Sequence, residues 1–400
     1  MRHPDTFGRF SAGDALRGLS ALGVLALHAT GISLVESGPP GIGGYEAMRS
    51  TYGPVGWLAL VGGQWLNVFF VLSGYLISRP FVIAYIQDRP PPDVARYARN
   101  RILRIVPAFW VAVLATLLVF GLMGSSPWAV PVTLLFGQAF MAEELFVGHI
   151  GQGWTLGTEM AFYALVPIVA LWWGRARTGT PTARAVRILA IVAALVVATP
   201  LWSELTPHDD PTWRLLFPAV AAAFAPGLAL AVVEATWPRR ITSHLCRRLA
   251  LPVALCGLAL FFAVAATDEG LEPWRTMASF AGAGLIVTGA LMREWSGAPA
   301  WKVLRNRATD WLGRCSYSIY VLHYGVIVWL AGRVAVVGHP WETIGRLGSL
   351  GLLLSLALAA LSWRFVEQPF LRLRRRWATP AADPRPSKLR GWDSNPQPRD

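Results

Sequence analysis

Long apolar runs recur along the whole chain and leave it few ways to fold. Blocks of about twenty residues with few charges cover 14–34, 55–78, 102–122, 154–173, 186–202, 213–234, 250–267, 276–292, 312–332 and 343–366. A run of this length spans a bilayer as a helix, and a helix is the open-chain structure that satisfies its own backbone there. The expected fold class is therefore an all-α polytopic membrane protein with about ten transmembrane helices. The 54% hydrophobic and 15% charged composition also excludes a soluble domain.

Charge sets the expected topology. Basic segments are the leader, 79–104, 174–187, 238–248, 293–314 and the tail from Arg372. Neutral or acidic segments are 35–54, 122–153, 203–212, 267–275 and 333–342. The two sets alternate only if the Pro-interrupted stretch 127–141 does not cross. It is therefore expected as one re-entrant or interfacial stretch, and the positive-inside rule then makes both termini cytoplasmic in a multi-pass plasma-membrane protein. The net charge of +13 lies in these loops, so no nucleic-acid partner is expected. Residues 1–375 read as one integral-membrane domain. Residues 376–400, rich in Pro, Asp, Ser and Arg, read as a disordered cytoplasmic tail. The three cysteines show no metal-ligand spacing, and no metal is expected.

The first apolar run carries two conspicuous polar residues, Arg17 and His28. Eleven helical steps place them on one face, roughly 16 Å apart along the axis. Ionisable groups inside a membrane helix usually face the bundle interior. Glu159 lies five residues past Trp154, and His28 lies six before Leu34. Counted from the outer ends of their helices, the two are roughly 8 and 9 Å deep. This equal depth predicts that Glu159 meets His28, fixes its tautomer and makes it a better base; the alternative is a structural partner for one of the arginines. At the inner side Arg101 and Arg104 are an i, i+3 pair on one face. With Arg17 they make a candidate phosphate site, because guanidinium binds phosphate oxygens bidentately.

Further candidates are Ser73 in FFVLSGYLI, Tyr317 and His323 in SYSIYVLHYG, and Glu367 in WRFVEQPF. Each of the three segments also has a purely structural reading. Gly74 reads as a close-packing residue, His323 equally well as a packed histidine, and Glu367 as an ion-pair partner of Arg364.

The segments LRGLSALGVLALH, FFVLSGYLI, RNRILRIVPAFW, GWTLGTEMAFYALVP, SYSIYVLH and FVEQPF, in this order over roughly residues 10–375, resemble the acyltransferase-3 family of membrane O-acyltransferases. The resemblance implies transfer of an acyl group, often acetyl, from cytoplasmic acyl-CoA to a hydroxyl of a sugar, a cell-surface glycan or a natural product. It also implies acyl-CoA as donor and a carbohydrate, lipid-linked or natural-product acceptor. The family's Arg-x10-His motif falls on Arg17 and His28, its RxxR motif on Arg101 and Arg104, and its WTLxxE motif on Glu159. Two positions depart from the pattern: Asn67 where an acidic residue is common, and Gly157 where a serine is usual. A rival reading is a proton-coupled transporter with Arg17, His28 and Glu159 along its pathway. That class often carries internal repeats, and none is visible here.

Overall fold

The computed structural model describes residues 10–38, 44–122, 126–138, 150–175, 178–207, 213, 215–236, 243–267 and 273–376. Its helices are α1 (Gly13–Ser37), α2 (Gly44–Tyr52), α3 (Pro54–Gln64), α4 (Leu66–Ile86), α5 (Val94–Phe120), α6 (Ala129–Leu134), α7 (Trp154–Arg175) and α8 (Pro181–Leu205). They continue as α9 (Phe217–Val220), α10 (Ala225–Thr236), α11 (Ser243–Ala266), α12 (Trp274–Trp295), α13 (Arg307–Val334), α14 (Pro340–Ser362) and α15 (Gln368–Arg376). The described residues contain ten helical spans long and apolar enough to cross a membrane, with α3 and α4 joined as one such span. The expected all-α polytopic fold is therefore observed. Of the stretch 127–141, the described part forms only the six-residue α6, far too short to cross. The tail from residue 377 lies outside the described residues.

Local sequence signals set several boundaries. Asp93 caps α5 by accepting from the Arg96 amide at 3.0 Å. Thr180 caps α8 with Pro181 at its first turn. Asn306 and Thr309 form a capping box at the start of α13. Prolines inside α4, α5, α7, α8 and α11 are tolerated, as is usual where neighbouring helices re-satisfy the backbone.

Two close seams place the site. α1 packs lengthwise on α13, and one offset of 295 residues relates both Gly18 to Gly313 and His28 to His323. A constant offset means that the two helices run parallel. At their shared end a side chain on Gly18 would meet Leu312 Cβ at 2.8 Å, and one on Gly313 would meet the Asp14 backbone. In the second seam Gly74 of α4 rests against the Phe224 carbonyl, and Gly227 of α10 against the α4 backbone near Val71 and Tyr75. Gly74 is thus a packing residue, as its sequence context suggests.

Three of the ten spans lie between Pro207 and Lys302. Single cysteines replacing these residues, in a background lacking Cys246, Cys256 and Cys315, should therefore label from opposite sides of the membrane. Labelling of both from one side would remove a crossing from this arrangement.

Candidate active site

Five helices bring their polar residues to one pocket near the shared end of α1 and α13. Its lining includes Arg17 from α1, Ser73 from α4, Arg101 and Arg104 from α5, Glu159 and Tyr163 from α7, and Ser316, Tyr317 and Tyr320 from α13. The Ser73 hydroxyl donates to Glu159 Oε1 at 2.7 Å, and the Tyr163 hydroxyl donates to Oε2 at 3.3 Å. Tyr317 donates to the Ile105 carbonyl at 2.8 Å, tying α13 to α5 beneath the pocket. The Arg101 guanidinium lies over the rings of Tyr97 and Tyr163, at 5.7 and 5.6 Å from their centroids. Its Nε is buried and has no hydrogen-bond partner. Arg17 has an acidic neighbour at the pocket's edge, Asp14, at 3.6 Å. Three guanidinium groups thus share a pocket whose lining holds one carboxylate. Buried cations are normally paired, so this excess marks a place for an anion.

The sequence reading gathers Arg17, Arg101 and Arg104, and the structure agrees. It differs on Glu159, whose carboxylate joins the arginines and not His28. The cause is the entry of α7. The turn Gly151–Gly153 is buried, and Gln152 Nε2 donates to the Val321 carbonyl at 2.7 Å, halfway along α13. α7 therefore begins inside the bundle, and Glu159 lies roughly 8 Å beyond Trp154, towards the arginine end. The segment after α6 supports this buried entry. Gln138 donates to the Gly153 carbonyl, and the Phe136 carbonyl approaches Gly157 so closely that a Cβ there would meet it at 2.7 Å. Glycine at the position where the family pattern has serine is what lets this segment lie on α7.

His28 instead meets His323. Its Nδ1 is 2.8 Å from His323 Nε2, and the two rings lie edge to edge, centroids 5.1 Å apart and planes 22° from parallel. His323 is fully buried, and its Nδ1 lies 2.8 Å from the Tyr320 carbonyl and 3.1 Å from that of Ile319. His28 keeps partial exposure, with Tyr324 edge-on at 5.1 Å. Phe69 and Tyr320, rings 5.5 Å apart, lie between the histidine pair and the arginine pocket: both line the pocket, and Tyr320 is 5.8 Å from the His323 ring. The Tyr320 hydroxyl is fixed by Thr155 Oγ1 at 2.7 Å and by the Gln152 carbonyl at 3.1 Å.

Glu367 is not the partner of Arg364. It sits in a π-helical turn, Trp363–Glu367, and accepts from Ser318 of α13, while Arg364 donates to Gln368 at 2.8 Å. The wider turn changes the angular spacing, so the two side chains point apart. Tyr163 lies one turn after Glu159 and could have been found from that spacing alone. Arg79, assigned from sequence to a basic loop, instead forms a bidentate pair with Glu234, its Nε and Nη2 at 2.7 and 2.6 Å from the two oxygens. Tyr75 donates to the same carboxylate at 2.5 Å. Among the described residues, no group of three or more His, Cys, Asp or Glu is placed to hold a metal.

Comparison with known proteins follows the same residues. The family model described as an acyltransferase domain, of the acyltransferase-3 type, matches residues 11–364. The chain belongs to the acyltransferase-3 family. YrhL of Bacillus subtilis, whose name carries peptidoglycan O-acetylation as a provisional assignment, is 28% identical over 76% of this chain and 50% of its own length. The exopolysaccharide production protein ExoZ of Rhizobium meliloti is 27% identical over 78% of this chain and 90% of its own. The peptidoglycan O-acetyltransferase OatA of Listeria monocytogenes is 25% identical over 76% of this chain and 50% of its own. The chain thus spans about half the length of YrhL and OatA. No solved structure matches it.

The Arg79–Glu234 pair locks α4 to α10, with side chains only 14% and 6% exposed. Replacing Glu234 by Ala leaves a buried guanidinium short of its partner, which costs about 3–5 kcal/mol. The expected result is a clear fall in the melting temperature of purified E234A. The double change Arg79→Met with Glu234→Leu should recover much of that loss, and a double no better than the single would remove this assignment.

Proposed function

We propose that the protein is an integral-membrane O-acyltransferase that moves a short acyl group, acetyl, from cytoplasmic acyl-CoA to a hydroxyl of a cell-surface carbohydrate or natural product. The observation that carries this reading is the arginine pocket, where Arg17 and Arg104 join Arg101, whose buried Nε has no partner. The phosphates of the donor are anions of the kind such a site recognises, and guanidinium groups meet them bidentately. The pocket lies at the end of the bundle where the basic segments gather, which is the cytoplasmic end under the positive-inside rule. Relatives named for peptidoglycan O-acetylation and exopolysaccharide production support a carbohydrate acceptor.

In the reaction His28 takes the proton of the acceptor hydroxyl as its oxygen attacks the thioester carbonyl. The carbon–sulfur bond breaks, and the proton returns to the departing thiolate. Glu159 holds Ser73 and Tyr163 in place and partly balances the three arginines at the donor end.

Two measurements test this. Arg101→Ala and Arg104→Ala each remove a charged hydrogen-bond donor worth roughly 1.5–3 kcal/mol. Affinity for acetyl-CoA, measured on purified variants in detergent, should fall by roughly ten- to a hundredfold while melting temperature holds. Unchanged affinity would return these arginines to topology anchors. Mass spectrometry of cell-surface glycans and small metabolites, with and without the gene, should reveal an acetylated species that His28→Ala also removes.

A further inference from the structure

In many histidine bases a carboxylate orients the ring that takes the proton, and the sequence reading gives that task to Glu159. The carboxylate is engaged elsewhere, by Ser73 and Tyr163. Among the described residues neither ring of the His28–His323 pair has a carboxylate partner. The pair must therefore set its own protonation, and its surroundings allow one solution.

His323 fixes that solution. Its Nδ1 faces two backbone carbonyl oxygens, those of Tyr320 at 2.8 Å and Ile319 at 3.1 Å. Carbonyl oxygens only accept, so this nitrogen carries the hydrogen. A second hydrogen on Nε2 would make a fully buried cation without a counter-ion, which is costly. His323 Nε2 is therefore a bare acceptor. The atom 2.8 Å away is His28 Nδ1, and two bare nitrogens do not face each other at hydrogen-bond distance. His28 Nδ1 must then be the N–H that donates.

We infer that His323 is a positioning residue that holds His28 as its Nδ1–H tautomer and thereby makes Nε2 the nitrogen that receives the acceptor's proton. When Nε2 is protonated, the Nδ1–H of His28 still points at the His323 lone pair, so the new charge is shared along one line. That line ends in the Nδ1–H of His323 on the two carbonyls. His323 and the carbonyls of Ile319 and Tyr320 together do what a carboxylate does elsewhere. The offset that aligns α1 with α13 brings the rings together, and His323 cannot tilt away, because it is fully buried and Nδ1 is anchored to its own helix. The catalytic half of this inference rests on the acyltransferase reading above, whereas the tautomer does not.

The test therefore has two arms. Protein labelled with 15N-histidine has seven histidines, and His28→Gln and His323→Gln assign the signals of interest. The expected spectrum, recorded without substrate, has a protonated Nδ1 and a bare Nε2 on His28, with scalar coupling from His28 Nδ1 to His323 Nε2 across the hydrogen bond. A proton on His28 Nε2, a cationic His323 or no coupling would overturn the inference, whatever reaction the protein performs. In the second arm, His323→Leu removes the acceptor, and His323→Gln supplies an amide oxygen in its place. With protein levels and melting temperatures matched, kcat should fall by roughly 10- to 100-fold in His323→Leu. The KM for acetyl-CoA should hold, because the arginine pocket lies beyond Phe69 and Tyr320. His323→Gln should recover most of the rate. Equal losses in both variants, or a KM that rises as kcat falls, would make His323 a packing residue. Absence of transfer in the wild-type protein alongside the expected spectrum would count against the acyltransferase reading alone.

Discussion

The parallel seam between α1 and α13 is the constraint on which the site depends. Small residues let two helix backbones approach in a membrane, where no hydrophobic force drives them together. Gly18 and Gly313 supply that approach, with the backbone of Asp14 filling the space over Gly313. Once that contact is made, the common helical rise carries the register upward. Ten residues further along each helix it sets His28 against His323. On the same helices, near the contact itself, it sets Arg17 beside the wall that Ser316 and Tyr317 contribute to the pocket. One packing decision therefore places both polar groups of the site.

Much of this was legible in the sequence because membrane helices obey simple rules of length and period. The ten spans follow from the apolar blocks. The grouping of Arg17, Arg101 and Arg104 follows from helical spacing and from the end of the bilayer at which each falls. What could not be read was depth where a helix does not begin at the surface. Counting the depth of Glu159 from Trp154 takes that residue to lie at the membrane face. The buried turn Gly151–Gly153 and its anchor Gln152 move the carboxylate towards the arginines, and nothing in the periodicity of α7 signals that. Partners on distant helices were equally hidden. Arg79 and Glu234 are 155 residues apart, and His28 and His323 are 295 apart, so only the packing of the whole bundle reveals either pair. The π-helical turn before α15 is a third case, since it changes the angular spacing on which the Arg364–Glu367 reading relied.

The site has two parts with different physics. The arginine pocket has excess positive charge and, at Arg101 Nε, a buried donor without a partner. The histidine pair is closed on itself, with three of its four ring nitrogens engaged. Between them Phe69 and Tyr320 form an aromatic partition that is stiff because the Tyr320 hydroxyl is held by Thr155 and Gln152. α7 thus serves both parts: its first turn fixes the partition, and its second supplies Glu159 to the charged side.

The way Arg101 is held has a geometric consequence of its own. A guanidinium is a flat plate, and here the rings of Tyr97 and Tyr163 lie against it while its buried Nε makes no hydrogen bond. Attraction to ring faces holds the plate in place without using any of its donors. The rim alone is left for a visitor, so an incoming anion must arrive edge-on with its oxygens in the plane. Such a slot ranks anions by shape as well as by charge: a flat or tetrahedral oxyanion can present two oxygens to the rim, and a spherical halide cannot. An ammonium at the same position would keep the charge but, having neither plate nor rim, would lose that discrimination.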